Sequence, residues 1–168
     1  KVYLATRNLA QPENLELDLR IHRNYGLPEL KEKVLRENLV ILSSYSGNTE
    51  EVIDAFFKAK EKSLVAAVIA VGGKLLELAK ENKTPYVQMP DTAIQPRFAL
   101  GYSLKALLKI LGDEEALKEV SVLAEVLKPA DYENQGRVLA EKLKGYVPII
   151  YSSARNLELA YNWKIKFN

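Results

Sequence analysis

Short apolar runs alternate along this chain with longer stretches in which apolar residues recur every three or four positions. Leu39 to Leu42 and Leu64 to Val71 are continuously apolar, and Tyr86 to Met89 is nearly so. Runs of this kind fit strands buried on both faces. Leu17, Leu19 and Ile21 alternate with Asp18, Arg20 and His22, the period-two pattern of a half-exposed strand. Val2 to Ala5 adds another strand, followed by a polar, proline-containing stretch through Asn14. Helical spacing appears in Val52, Ile53, Phe56 and Phe57 behind Thr49, and in Leu75, Leu76, Leu78 and Ala79 behind Gly72-Gly73. Phe98 to Leu111 and Glu114 to Leu127 predict two further helices, parted by Gly112-Asp113. A helix over Tyr132 to Leu143, a strand-like Val147 to Tyr151 and a helix over Asn156 to Phe167 complete the pattern.

Strands alternating with helices predict an α/β fold with a mainly parallel sheet flanked by helices. The chain breaks near Lys128-Pro129-Ala130-Asp131. Residues 1–128 are therefore expected to form one domain, and residues 129–168 a linker with the opening elements of an incomplete second unit. There is no internal repeat.

Composition narrows the function. With no cysteine and a single histidine, His22, the chain lacks disulfides, a thiolate nucleophile, a cysteine or histidine metal site and a Ser-His-Asp triad. No metal is expected, and Asp113-Glu114-Glu115 reads as a helix start. Lack of cysteine fits a reducing, cytoplasmic setting. The 24 basic and 22 acidic residues are mixed along the chain without a basic face, which argues against nucleic acid as a partner. Leu64 to Val71 is the longest apolar run and falls far short of the ~20 residues that cross a membrane, so no membrane partner is expected.

The stretch Val40-Ile-Leu-Ser-Ser-Tyr-Ser-Gly-Asn-Thr-Glu-Glu51 carries the candidate chemistry. It runs from a buried strand through a hydroxyl-rich turn to a helix start. Ligands of parallel α/β sheets settle at the carboxyl ends of strands, and helix N-termini favour anions. Ser44, Ser46 and Thr49 can each donate an O–H to a phosphate oxygen, Asn48 stands among them, and Gly47 allows close backbone approach. Ser, Asn and Thr are also the preferred helix caps, so the segment by itself reads equally as a plain capped turn. No P-loop motif occurs, which argues against a nucleotide triphosphatase.

Ser44-Tyr-Ser-Gly-Asn-Thr-Glu-Glu51 resembles the signature of sugar isomerase (SIS) domains, in the form found in bifunctional phosphoglucose/phosphomannose isomerases. Arg23-Asn-Tyr-Gly-Leu-Pro28 and Gln95-Pro-Arg-Phe-Ala-Leu-Gly-Tyr102 are similar to that family too. So are Val147-Pro-Ile-Ile-Tyr151 and Ala160-Tyr-Asn-Trp-Lys-Ile-Lys-Phe-Asn168, and all stand in the family's order. The resemblance implies an SIS-type three-layer sandwich that interconverts aldose and ketose hexose 6-phosphates through an enediol without a cofactor, as a homodimer, in glycolysis or gluconeogenesis. Ser44, Ser46, Gly47, Asn48 and Thr49 would hold the phosphate. Arg97 would be catalytic, stabilising the enediolate's charge. Tyr45 and Tyr102 could line the sugar pocket or simply pack. Trp163, with Leu157, Ala160 and Tyr161, fits a core or interface face.

The sequence departs from the family twice. The family's first strand leads into a Gly-Met-Gly-Gly-Ser loop, whereas Thr6-Arg-Asn-Leu-Ala-Gln-Pro12 has no glycine and places Ala10 where the serine would stand. The family's catalytic glutamate would follow Asn168, and its histidine does not correspond to His22, which is expected at a strand end. The expectation is therefore a phosphate-binding half that does not isomerise alone. A non-catalytic sugar-phosphate-binding or dimerisation module is the alternative.

Overall fold

In the computed structural model, which describes residues 2–6 and 18–167, the apolar runs become one five-stranded sheet. Its strands are β1 (Val2–Thr6), β2 (Asp18–His22), β3 (Leu39–Ser43), β4 (Ala66–Ala70) and β5 (Tyr86–Gln88), in the order β2-β1-β3-β4-β5. The helices are α1 (Glu32–Arg36), α2 (Glu50–Glu61), α3 (Gly73–Glu81), α4 (Leu100–Leu111), α5 (Glu114–Val126), α6 (Pro129–Leu143) and α7 (Leu157–Phe167). The α/β architecture is the expected one, a sheet with helices on both faces.

Strand β3 is apolar on both faces because each face meets a helical layer. Val40 and Leu42 join Val68 and Ala70 in a cluster with α1, α2 and α3, centred on Phe56, Leu75 and Ala79. Ile41, on the opposite face, packs with Ile69, Met89 and Ala106, against which α4 lays Tyr102, Leu107, Ile110 and Leu111. This alternation follows from the two-residue period of a strand. Asp113 caps α5, its side chain accepting from the Ala116 N–H (2.9 Å), as its position before Glu114-Glu115 suggests.

The sheet is parallel from β3 to β5 and antiparallel on its other side. Val2 is level with Leu42 and Ala5 with Leu39. Strand β1 thus runs away from the carboxyl end of β3 and finishes at the opposite edge. Strand β2 returns, bringing His22 level with Val2. The connection that leaves after Thr6 therefore starts far from the Ser44–Thr49 turn, whereas the one that leaves after His22 starts beside it. Residues 7–17, including the glycine-free loop from Arg7 to Pro12 and Leu17, lie outside the described residues.

Pro129 opens α6 at the first helical position, where its missing N–H leaves nothing unpaired. One expectation needs correction. Val147 to Tyr151 forms no strand. Val147 and Tyr151 are 89% and 88% exposed, and an apolar run without a neighbouring strand has no ladder to complete. Helix α7 also has no buried residue, so Trp163 and Leu157 belong to a half-exposed or exposed face and not to the core.

Candidate functional site

The Ser44–Thr49 turn sits where β3 emerges from the sheet, at its carboxyl end. Pairing with β4 continues past the strand: the Ser44 N–H donates to Ile69 O (3.0 Å) and the Val71 N–H to Tyr45 O (2.9 Å). The chain then turns at Gly47, whose φ is +76°, a conformation that costs a residue with a Cβ about 1–2 kcal/mol. Space is as restrictive as the dihedral. A Cβ on Gly47 would lie 1.8 Å from the Gly72 carbonyl oxygen. The Gly47 carbonyl in turn accepts from the Leu75 N–H (2.9 Å) in the first turn of α3.

The β3–α2 and β4–α3 turns are therefore interlocked. Asn48 closes the lock, its Oδ1 accepting from the Lys74 N–H (3.0 Å). Gly73, with φ +69°, leaves room for it; a Cβ there would come within 2.4 Å of Ser46 O and 2.7 Å of Asn48 Oδ1. Nothing in the sequence pattern marked Gly72 and Gly73 as more than the start of a helix. The available signal was a glycine pair directly after a buried strand parallel to β3.

The hydroxyls divide into an inner and an outer set. Ser44 is buried, with its Oγ accepting from the Gly47 N–H (3.1 Å) and 2.7 Å from Thr49 Oγ1. Ser46 and Thr49 are exposed, and Ser46 Oγ accepts from the Asn48 N–H (3.2 Å). Thr49 stands at the N-cap of α2 without a side-chain capping bond, so its hydroxyl stays with Ser44 and the helix start keeps free donors. The turn thus presents two outer hydroxyls, turn amides and the positive end of a twelve-residue helix on one surface.

Arg97 lies in a short 3-10 turn, Pro96–Phe98, ahead of α4. It is half-buried, and its Nε has no hydrogen-bond partner among the described residues. Its guanidinium carbon is 5.1 Å from the centre of the Phe98 ring. No direct hydrogen bond or ion pair joins it to the Ser44–Thr49 turn. Tyr45 and Tyr102 pack against the α4-side cluster, and the buried Tyr45 hydroxyl is likewise without a partner. His22 closes β2 at the strand end, half-buried, with Nε2 3.2 Å from Tyr25 O. An apolar groove of about 600 Å3 lies elsewhere, between residues 146–150 and α7, with Lys164 as its one charged lining residue. Among the described residues there is no cluster of metal ligands and no helix long and apolar enough to cross a membrane.

The loop that follows β2 docks on α2. Tyr25 O–H donates to Glu50 Oε2 (3.0 Å), and the Gly26 N–H donates to Asp54 Oδ2 (2.7 Å), which also meets Lys58 Nζ at 3.1 Å. The Glu50 carboxylate raises the Tyr25 pKa, which keeps the phenol a proton donor. The Lys58 ammonium, and after it the Gly26 amide, hold the Asp54 carboxyl below its ordinary value against partial desolvation. A carboxyl lowered in the folded state stabilises at neutral pH and loses that contribution as pH falls through its folded pKa. The Gly26 amide resonance is expected to titrate with a midpoint below about 3.9, the usual aspartate value. A midpoint at or above that value would disprove the clip.

The chain matches no protein-family model, and no solved structure matches it. Among curated proteins it is 34% identical over 148 residues to a bifunctional phosphoglucose/phosphomannose isomerase of Aquifex aeolicus, covering 87% of this chain and 44% of that protein. A Caldicellulosiruptor bescii protein of the same name is 35% identical over 166 residues, covering 90% of this chain and 48% of the relative. A D-glucosamine-6-phosphate 4-epimerase of Sulfolobus acidocaldarius is 29% identical over 147 residues, 83% of this chain and 45% of that protein. The chain spans about half the length of the curated relatives it matches.

Proposed function

Because this chain belongs to the family of the bifunctional phosphoglucose/phosphomannose isomerases, we propose that its β3–α2 turn binds the phosphate of a hexose 6-phosphate. Ser46 and Thr49 donate to the phosphate oxygens together with the uncapped amides of the first turn of α2. Ser44, buried between the Gly47 amide and Thr49, holds the hydroxyl pattern in place. Arg97 faces the sugar's reacting carbons, where a fixed positive charge lowers the energy of an enediolate as the proton moves between C1 and C2. The observation that carries this reading is the exposed hydroxyl turn at an uncapped helix start, held rigid by the Gly47–Gly72 contact.

Relatives named for isomerisation and for 4-epimerisation have a hexose phosphate in common. That shared feature supports a phosphate site in this half of the family more directly than it supports either reaction. The proposed 1–128 unit contains every residue assigned here. Aldose–ketose isomerisation of glucose or mannose phosphate is the activity we propose for the whole, with a homodimer as its assembly and no cofactor.

One observation favours a second reading, a module that binds sugar phosphate without isomerising it. The reversed β1 ends at the far end of the sheet from the turn, to which the family's glycine loop would contribute. Calorimetry with fructose 6-phosphate, against fructose and inorganic phosphate, tests the shared core of both readings. Ser46→Ala is expected to weaken fructose 6-phosphate binding about ten- to hundredfold, the loss of one hydrogen bond to a charged group. Unchanged affinity would remove Ser46 from the phosphate site. Turnover of the bound sugar then separates isomerase from binding module.

A further inference from the structure

Helix α7 touches both of the segments that the proposed site depends on. At its start, Glu158 pairs with Arg23 (3.7 Å), and the Arg23 guanidinium lies over the Tyr161 ring, 4.7 Å from its centre. Arg23 opens the loop whose next residues, Tyr25 and Gly26, are hydrogen-bonded to Glu50 and Asp54 of α2. At its end, Lys166 donates from Nζ to the Arg97 carbonyl oxygen. The Lys166 ammonium also sits 5.0 Å from the centre of the Phe98 ring, next to which Arg97 places its own guanidinium. Neither Arg97 nor Lys166 has an ion-pair partner among the described residues.

A continuous path of contacts therefore runs from the first turns of α2, through the Arg23–Pro28 loop and α7, to the peptide of Arg97. The hydroxyl turn and Arg97 make no direct bond with each other, and the sheet alone does not fix the 3-10 turn, which projects ahead of α4. We propose that α7 is a strap that sets the spacing between the phosphate turn and Arg97, with Arg23 and Lys166 as its two anchoring, positioning residues. The inference rests on the hexose 6-phosphate reading, because spacing matters only to a ligand that reaches both ends. Inorganic phosphate occupies one end and is indifferent to it. A ligand held at both ends is sensitive to small displacements, since binding geometry degrades steeply with misplacement.

Two measurements on the full chain decide it. Lys166→Met and Arg23→Gln are each expected to weaken fructose 6-phosphate about tenfold while leaving inorganic phosphate affinity unchanged, and Lys166→Arg is expected to restore it. Without any ligand, amide exchange at Phe98 and Ala99 is expected to rise in Lys166→Met, because the N–H groups of both belong to the 3-10 turn. An unchanged affinity ratio with unchanged exchange overturns the strap and leaves the phosphate site standing. Failure of the unsubstituted chain to bind either ligand overturns the phosphate reading, and the strap's role in ligand spacing falls with it.

Discussion

Gly47→Ala is expected to lower stability by about 3 kcal/mol or more and to abolish sugar-phosphate binding. The left-handed backbone at φ +76° accounts for about 1–2 kcal/mol of this. The larger part is steric. The new methyl would sit 1.8 Å from the Gly72 carbonyl oxygen, a backbone atom that cannot rotate away as a flexible side chain would. Relief requires the two turns to separate, which stretches the Gly47 carbonyl bond to the Leu75 N–H and the Asn48 bond to the Lys74 N–H. Domain stabilities of about 5–15 kcal/mol leave the variant largely folded, so binding and urea midpoint can both be read. Gly136→Ala is the control. It lies in the exposed α6 with open space where its Cβ would go, and a gain of up to about 1 kcal/mol is expected. A Gly47→Ala protein as stable as the parent would show that the turns are not interlocked in solution.

Phe56→Ala is expected to cost about 3–5 kcal/mol, the range for truncating a buried phenylalanine. Phe56 is 1% exposed and is among the largest fully buried side chains. It fills the layer between α2 and the Val40, Leu42 and Val68 face of the sheet, a close-packed cluster in which truncation leaves a void. Its neighbour Phe57 meets it edge-on, with ring centres 6.0 Å apart, yet is 54% exposed. Phe57→Ala is therefore expected to cost under about 1 kcal/mol. Thermal unfolding of the two variants side by side checks the assignment, and equal losses would mean that α2 is rotated about its axis. Because Thr49 and Glu50 ride on the same helix, Phe56→Ala is also expected to loosen the turn.

The elements legible in the sequence were those whose pattern is set locally. Leu39 to Leu42 declares a buried strand because every position is apolar, and the helical spacing of Val52, Ile53 and Phe56 needs no tertiary information. The candidate turn was legible for the same reason: strand, hydroxyls and acidic helix start are contiguous. What depended on distant partners was not. The direction of β1 is a choice between two pairings with β3 that its own five residues do not encode. Val147 to Tyr151 carries strand composition, but a strand also needs an edge to join. Helix α1, at five residues, is too short to leave a periodic signature. Gly72 and Gly73 matter only because Gly47 and Asn48 come to rest against them from far along the chain. Ser44 looked like one more phosphate donor, and only its burial shows that it serves the Gly47 amide and Thr49 first.

That dependence sets the smallest piece of this molecule that could be transplanted. A hexapeptide copied from Ser44 to Thr49 into another sheet would carry the hydroxyls but not the carbonyl wall of Gly72 or the α3 amides that hold Gly47 and Asn48. The portable cassette is the run from Leu39 through Glu81, two parallel strands with both of their turns and helices. Chimeras with relatives should exchange that run whole, with crossover points in the exposed stretches on either side.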